Sequence, residues 1–292
     1  MLKVDDKHVE KLLGNFGRNE HRHLSESQII NWIKNHLNDE DYGKHKFNQF
    51  LAASYYAGIE PKIVLDLACG SGSFAFNSIK FGNVVIGIDI SKDLIEIASL
   101  KYKYYLRGGK LRNDKGLFVV GSGLEIPLKN NSIDSICSFQ AIEHIENVER
   151  YLSECVRVLK VGGYIFITAP DYYTFHEGHY QIAWFPMLPK KIAELYLYLR
   201  GKDPNRIKSI YFVTNGTIKR KLKKIKGIEL SDIRYKHFEE LYKRKLSNIK
   251  SKSSFSLIIA KMLLKNELIK IILKNIFLLS QRKIMLLIVK RG

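Results

Sequence analysis

The chain has 292 residues, of which 46% are hydrophobic, so it can bury a substantial core in one or two domains. Lysine and arginine total 48 against 29 acidic residues, which gives a formal net charge of +19 at pH 7. The first residues lack the apolar run of a signal peptide, and the three cysteines are an odd number in apolar surroundings. These features argue against a disulfide framework, and we expect a reduced, cytoplasmic protein.

Residues 1–60 are predicted to form a helical cover ahead of the first strand. Ser25 begins a capping box with Gln28, and apolar residues follow at helical spacing, which predicts a helix from about residue 26 to 37. A second helix is predicted over residues 47–56, because a glycine and then a proline follow it.

A strand that runs into an acidic residue and then a glycine turn is the most informative motif. It occupies residues 64–73, with Asp66 near the strand end and Gly70 and Gly72 in the turn. Such an aspartate can anchor a cationic or hydroxyl-bearing group, and the glycines let the backbone approach a ligand that a Cβ would block. A second apolar strand ends at Asp89, where a strand-turn-helix-strand unit places a ribose-binding carboxylate. The unit predicts a nucleotide-cofactor site.

Two kinds of cofactor fit this unit to different degrees. Residues 70–75 match the G-x-G-x-x-A pattern of dinucleotide-binding dehydrogenases. However, Asp66 stands at the strand end, where a pyrophosphate would be repelled by the carboxylate and an amino-acid ammonium would be stabilised. The methionyl end of S-adenosylmethionine carries such an ammonium, and the site therefore favours this cofactor.

Three further segments follow in a characteristic order: a glycine turn in residues 121–128, a strand and a Glu-His pair in residues 131–145, and a Gly-Gly turn and strand in residues 157–167. In order and spacing, residues 60–171 resemble the class I S-adenosylmethionine-dependent methyltransferases. The resemblance is to the broad group that includes quinone, lipid and sugar methyltransferases. It implies S-adenosylmethionine as cofactor and methyl transfer as the activity.

The resemblance also implies roles for individual residues. Asp66, Ala68, Gly70 and Gly72 are expected to surround the methionyl part of the cofactor, and Asp89 is expected to bind its ribose. Ile90, Ser122, Gly123 and Leu124 are expected at the adenine. Gln140 is expected to face the methionyl chain and the methyl group. The family usually has Gly-Asp-Ala where this chain has Gly-Ser-Gly, and that aspartate accepts a hydrogen bond from the adenine amino group. Ser122 can accept one more weakly.

The segment after the fifth predicted strand is aromatic, rich in titratable groups and bracketed by prolines. It begins where open α/β sheets bind their ligands, so residues 171–209 are predicted to form a lid over the acceptor. A packed loop whose histidines hydrogen-bond the backbone is the alternative. No metal site is predicted, because the His-Glu-Gly-His sequence lacks the spacing of the H-E-x-x-H motif. The candidates for a general base are His144, His176, Glu177 and His179, and capping of the next helix is the alternative for His144.

Positive charge is concentrated late in the chain. Residues 217–252 contain 13 basic and 4 acidic residues, and a lysine-broken apolar stretch follows that is too short to span a bilayer. We expect residues 240–281 to form a basic, apolar helical insertion that lies in the interface of an anionic membrane. A solvated lysine-rich face is the alternative, and nucleic acid is disfavoured because few aromatic residues accompany the basic ones. Residues 284–289 are predicted to be the last strand.

Together these features predict a doubly wound, Rossmann-like α/β sheet of about seven strands, with the helical cover in residues 1–60 and a methyltransferase domain over residues 61–292. The predicted acceptor is a small or lipid-linked molecule such as a saccharide, a polyprenyl conjugate or a quinone, methylated at the inner membrane surface. Two alternatives remain. An RNA methyltransferase is disfavoured because residues 140–143 lack an N-P-P-Y-type signature, and the intact glycine turn argues against a non-catalytic cofactor-binding protein.

Overall fold

The computed structural model describes residues 25–111, 115–178, 180–186, 188–236, 238–239, 266–272 and 283–292. The chain divides into two compact units. The first unit comprises Met1–Phe139, Glu149–Phe166 and Val289–Gly292, and the second comprises Gln140–Val148 and Ile167–Ile288.

Two helices precede the sheet. Helix α1 (Glu26–Leu37) begins at Ser25, whose side chain accepts a hydrogen bond from the Gln28 N–H, while the Ser25 N–H donates to the Gln28 side chain. The capping box is thus confirmed. Helix α2 (Glu40–Ala57) ends at a left-handed glycine as predicted, but it starts earlier than residue 47. Its first turn is polar on all sides, so periodicity could not reveal it.

The first unit carries four parallel strands connected by helices. In chain order, these elements are β1 (Ile63–Leu67), α3 (Ser73–Phe81), β2 (Val84–Asp89), α4 (Lys92–Arg107), β3 (Gly116–Val120) and β4 (Ile133–Phe139). Strand β1 pairs in parallel with both β2 and β4, and β2 pairs in parallel with β3. Their apolar runs are typical of parallel strands that are covered on both faces.

The remaining elements complete the sheet and include all those of the second unit. They are a 3-10 helix (Ile142–His144), α5 (Val148–Val158), β5 (Leu159–Pro170), β6 (His176–Glu177), β7 (Ile182–Ala183), α6 (Lys190–Leu199), α7 (Asn205–Lys208), α8 (Asn215–Leu222), β8 (Ile228–Asp232) and β9 (Lys283–Lys290). The large sheet has seven strands in the order β3-β2-β1-β4-β5-β9-β8, and β6 and β7 form a separate antiparallel pair. The predicted seven-stranded α/β sheet and its last strand are confirmed.

Strand β8 was not predicted, because its sequence lies within the basic region and only some of its side chains are half-buried. Most of the predicted insertion, residues 240–265 and 273–281, lies outside the described residues. Within it, residues 267–272 are helical. In the described part of the chain, no helix has the length and hydropathy needed to cross a membrane.

The second unit has its own core and a buried ionic cluster. The core consists of Tyr172, Ile182, Trp184, Ala193, Leu197, Ile207 and Ile210. Near it, the buried Arg234 donates hydrogen bonds to both carboxylate oxygens of Asp232 (3.0 and 2.9 Å) and to the Lys283 carbonyl (3.1 Å), and it lies 3.4 Å from Asp171. Burial opposes ionisation of Asp232, but the hydrogen bonds and positive charges of Arg234 and Lys219 together outweigh burial and lower its pKa to about 2.

All three cysteines are free and buried, as expected for a reduced chain. Burial raises the pKa of the Cys69, Cys137 and Cys155 thiols, so each behaves as a small apolar side chain.

Candidate active site

The turn after β1 has an unusual backbone. Ala68 adopts a left-handed conformation (φ 62°), as do Gly70 (φ 55°) and Gly72 (φ 77°). A Cβ added to Gly70 would have no neighbour within 4 Å, so this glycine borders open space. A left-handed alanine costs free energy, and such strain is concentrated where backbones bind ligands. The turn predicted from the glycines is therefore formed: Ala68 and Gly70 are half-buried, whereas Gly72 is buried and a Cβ there would lie 3.0 Å from the Phe76 and Phe118 rings.

This turn borders a cavity of about 270 Å³, which we call the glycine-turn cavity. Its lining comes from α1, α2, the turn after β1 and the first turns of α3 and α4, through Asn35, His36, Asp39, Tyr42, Lys46, Ala68, Cys69, Gly70, Ser71, Ser73 and Leu94. The N-terminal helices therefore form one wall of the cavity.

Two opposite charges lie near the glycine turn: Lys46 is half-buried and lines this cavity, and Asp66 is buried on β1, two residues before Ala68. Asp66 is only 2% exposed, and among the described residues its Oδ2 atom has no hydrogen-bond partner. Burial raises the pKa of Asp66 to about 7, and the charge of Lys46 opposes this shift. The Lys46 ammonium lies 4.4 Å from the ring centroid of Tyr42, and burial lowers its pKa despite the attraction of Asp66. A ligand carrying both an ammonium and a carboxylate would stabilise both charged forms.

A buried ionic chain attaches the N-terminal helices to the glycine turn. Lys101, which is 1% exposed, donates to Asp39 Oδ1 at 2.6 Å, and the Ser71 hydroxyl donates to Asp39 Oδ2 at 2.6 Å. Lys101 also donates to the His36 carbonyl at 2.9 Å. No sequence motif predicts that these residues interact, because they lie far apart in the sequence.

Asp89 lies at the end of β2, as predicted. Its Oδ2 accepts a hydrogen bond from the Gly70 N–H (2.8 Å), and its Oδ1 accepts one from the Ser91 N–H (2.9 Å). Asp89 thus fixes the glycine turn, and each oxygen keeps a further lone pair for a hydroxyl group. The next residue, Ile90, is 78% exposed.

The loop after β3 contains three of the predicted site residues. The Ser122 hydroxyl accepts a hydrogen bond from the Leu124 N–H at 3.1 Å. Gly123 is required by packing, because a Cβ there would collide with the Tyr151 ring. The Arg150 side chain donates to the Leu124 carbonyl at 2.7 Å. These contacts fix the backbone of the loop.

A second cavity, of about 600 Å³, belongs to the second unit, and we call it the hairpin cavity. Its lining is mostly polar and consists of Gln140, Glu143, His144, Pro170, Asp171, Tyr172, Thr174, His176, Glu177, Gly178, Gln181 and Lys283. The structure therefore brings together four of the predicted residues: Gln140, His144, His176 and Glu177. Gln140 directly follows β4 and is left-handed (φ 53°). The predicted residue His179 lies outside the described residues.

The candidate bases in the hairpin cavity have different environments. Glu177 is buried and accepts hydrogen bonds from the Tyr172 hydroxyl (3.1 Å) and the Tyr180 N–H (2.7 Å), so it stabilises the β6–β7 hairpin. His176 is half-buried on β6, opposite Ala183. His144 is exposed at the end of the 3-10 helix. Across the described residues, no group of three or more histidine, cysteine or acidic side chains could hold a metal ion.

Comparison with known proteins assigns the glycine-turn unit to a family. Residues 65–167 match the family model described as a methyltransferase domain. A Mycolicibacterium smegmatis protein named as a probable S-adenosylmethionine-dependent methyltransferase is 31% identical over 116 residues, which cover 39% of this chain and 40% of the relative. The demethylmenaquinone methyltransferase of Thermobifida fusca is 32% identical over 117 residues, which cover 40% and 45%. The chain thus spans less than half the length of these two relatives.

Among solved structures, the Haemonchus contortus phosphoethanolamine N-methyltransferase 2 in complex with S-adenosyl-L-methionine is 22% identical, with a TM-score of 0.49. The match covers 84% of this chain and 53% of that chain. The family match and the seven-stranded α/β sheet agree. Residues 65–167 are thus identified as a methyltransferase domain, and a relative that matches this part of the chain is named as a probable S-adenosylmethionine-dependent methyltransferase.

Proposed function

We propose that the protein transfers a methyl group from S-adenosylmethionine to a small or lipid-linked acceptor at a membrane surface. The observation that supports this best is the pairing of a strained, open glycine turn with the buried carboxyl of Asp66, whose Oδ2 has no partner among the described residues. Such a carboxyl needs a cationic or donating ligand.

The residues of the glycine-turn cavity fit the cofactor. In the proposal, Asp66 receives the methionyl ammonium and Lys46 the methionyl carboxylate, while Ala68, Gly70 and Gly72 provide the backbone surface. Asp89 holds the ribose hydroxyl groups with its remaining lone pairs. Ile90, Ser122, Gly123 and Leu124 are proposed to surround the adenine.

The hairpin cavity is proposed to bind the acceptor. When bound, S-adenosylmethionine supplies a sulfonium methyl group that is already activated for transfer. The protein therefore has to align the acceptor and exclude water, and a base is needed only for an acceptor that must lose a proton. We assign proton removal from an acceptor hydroxyl to His176, with His144 as the second candidate, because Glu177 already accepts two hydrogen bonds within the hairpin.

The acceptor class follows from the relatives and the chain together. One relative acts, by its name, on a demethylated menaquinone, and we propose an acceptor from the set of saccharides, polyprenyl conjugates and quinones. Membrane contact is proposed from the net charge of +19 and from the predicted insertion. In its described part, residues 266–272, three large apolar side chains are exposed: Leu268, Ile271 and Ile272.

The proposal is tested by two measurements on the purified full chain. Calorimetry is expected to detect binding of S-adenosylhomocysteine and no binding of NAD. Incubation of cell extracts with methyl-labelled cofactor and the protein should yield, by mass spectrometry, a product that gains one labelled methyl group. The Asp89→Ala variant serves as the control and should yield less product when the cofactor concentration is low. Binding of NAD but not of S-adenosylhomocysteine would overturn the proposal.

A further inference from the structure

In the described part of the chain, one face of helix α6 is exposed. Four large side chains on it are exposed: Ile192 (53%), Leu195 (57%), Tyr198 (72%) and Leu199 (73%). At 100° per residue these four positions fall within about 120° of the helix circumference, so they form one continuous stripe. We call this stripe the outer face of α6.

The opposite face of α6 explains why the helix is held in place. Ala193 and Leu197 are fully buried in the core of the second unit, next to Ile182 and Trp184. The Tyr196 hydroxyl donates a hydrogen bond to the Ala183 carbonyl at 2.9 Å. The helix is therefore anchored by its inner face, and the apolar outer face contributes nothing to this anchorage.

Aromatic side chains extend the outer face toward the hairpin. Phe185 is 58% exposed, and its ring centroid lies 5.9 Å from that of Tyr196 on α6. Phe175, also exposed, accepts a backbone hydrogen bond from the residue next to Phe185, Trp184, at 2.9 Å. The Phe185–Tyr196 contact thus continues the apolar surface from α6 to Phe185, and Phe175 is a further exposed aromatic residue on the neighbouring part of the hairpin. Contiguous surfaces of this kind mark interaction sites on proteins.

The charges around the outer face have one dominant sign. Residues 190–202 contain four basic side chains and a single acidic one. Lys191 projects on the same side as the stripe, and Arg200 and Lys202 are exposed just beyond its carboxyl end. A stripe of leucine, isoleucine and tyrosine bordered by lysine and arginine is the composition of helices that lie in a membrane interface, where tyrosine is also favoured.

We propose that the outer face of α6, with Phe175 and Phe185, is the surface by which this protein lies on an anionic membrane. This proposal rests on the membrane contact that is part of the proposed function, and it assigns that contact to a surface within the described residues. The basic border is attracted to anionic lipid headgroups, and the apolar stripe enters the boundary between headgroups and acyl chains. Lipid is favoured over a protein partner because the exposed charges at the stripe are mainly basic: Lys191 lies within it and Arg200 and Lys202 lie just beyond its end, against the single acidic Glu194 beside it.

The test is co-sedimentation of the full chain with phosphatidylcholine vesicles, with and without phosphatidylserine. The wild type should bind the vesicles that contain phosphatidylserine more strongly. A Leu195→Glu, Leu199→Glu variant should lose about tenfold or more in binding, because two apolar contacts are removed and two negative charges that anionic lipid repels are added. Val161→Glu is the matched control, since Val161 is an exposed apolar residue on β5, outside the outer face.

Each outcome supports or overturns the proposal that the outer face of α6 binds an anionic membrane. Equal binding of the double variant and the wild type, or no sedimentation of the wild type with either vesicle, would overturn the proposal. Light scattering provides the other arm: a wild-type dimer that the double variant converts to a monomer, without lipid binding, identifies a second copy as the partner instead. Calorimetry with S-adenosylhomocysteine, expected to be unchanged in both variants, separates failure of this surface from failure of the proposed methyltransferase function.

Discussion

Protonation of the buried carboxyl of Asp66 should affect the stability of the whole protein. Burial raises its pKa to about 7 from 3.8, so in this interval the native state keeps a proton that the unfolded state has released. The stability of the cofactor-free protein should therefore fall as the pH rises from about 4 to about 7, by at most about 4 kcal/mol. Asp66→Asn should remove this part of the dependence, which melting curves across the range would show. The exposed Asp41→Asn variant is the control.

The same carboxyl should make cofactor binding pH-dependent. An ammonium ligand stabilises the charged form of Asp66, so the affinity for S-adenosylhomocysteine is expected to increase as the pH rises through about 7. Titration calorimetry in buffers of different ionisation enthalpy would detect the proton released below that pH. An Asp66→Asn variant with the same pH profile as the wild type would exclude this coupling.

Asp89 offers a second test of the cofactor site. We expect Asp89→Ala to weaken binding of S-adenosylmethionine by about 1.5 to 3 kcal/mol, because it removes charge-assisted hydrogen bonds to the ribose and releases the Gly70 N–H. Calorimetry would measure the change, with Asp41→Ala as the surface control. Unchanged affinity would remove Asp89 from the site.

Sequence analysis could propose only those candidate site residues that belong to one local motif. Asp66, Gly70 and Asp89 lie within one strand-turn-helix-strand unit, and a short stretch of sequence is enough to recognise that unit. Lys46 and the Lys101–Asp39 pair were missed, since their contacts depend on how helices from distant parts of the chain pack. Their side chains carry no local signal, because a lysine in a polar helix is usually solvated.

At the scale of elements, Arg234 holds together the ends of three strands. Replacing it with methionine should destabilise the protein by about 3 kcal/mol, because Asp171 would lose its arginine partner, whereas Asp232 would keep the hydrogen bonds from Lys219 and Asn215, both at 2.9 Å. Denaturant unfolding would measure this, with the exposed Arg220→Met as control. Because the pKa of Asp232 is lowered to about 2, this contribution is present at neutral pH and is lost as the pH falls toward that value. A loss below about 1 kcal/mol would show that the cluster is dispensable.

The β6–β7 hairpin carries the residues proposed for acceptor chemistry. His176→Ala should lower turnover by about 100-fold if the acceptor is a hydroxyl, while leaving S-adenosylhomocysteine affinity unchanged. Glu177→Gln should instead lower the melting temperature, because Glu177 supports the hairpin. Single-turnover kinetics distinguish the two, and His45→Ala on the exposed side of α2 is the control. Full activity of the His176 variant would remove it as the base.

Element prediction succeeded where burial produced periodic or continuous apolar patterns. The core strands and α1 were recognised for this reason. Strand β8 and the first turn of α2 were not, because an edge strand in a basic region and a polar helical turn resemble solvated chain. Both are held by tertiary contacts: Gly43 allows α2 to approach the backbone of Ser73 so closely that a Cβ would collide with its carbonyl.

For the whole molecule, the net charge of +19 should make membrane attachment sensitive to salt. Screening is effective beyond about 10 Å at 0.1 M salt, so sedimentation with anionic vesicles should decrease steadily as salt is added. Charge reversal at Lys243, Arg244 and Lys245, predicted from sequence to lie in the basic insertion, should decrease it further without affecting S-adenosylhomocysteine binding. Attachment that does not change with salt would argue for purely apolar contact.

The hydrogen bond from Arg234 to the Lys283 carbonyl has a consequence for how this chain can vary. It brings the point where the polypeptide leaves β8 next to the point where it returns in β9. The free energy of closing such a loop depends only weakly on its length, about 0.6 kcal/mol for each doubling. We therefore expect residues 240–282 to tolerate changes in length and sequence. Relatives and engineered variants could replace this segment and so acquire new targets, while the strands of the large sheet keep their register.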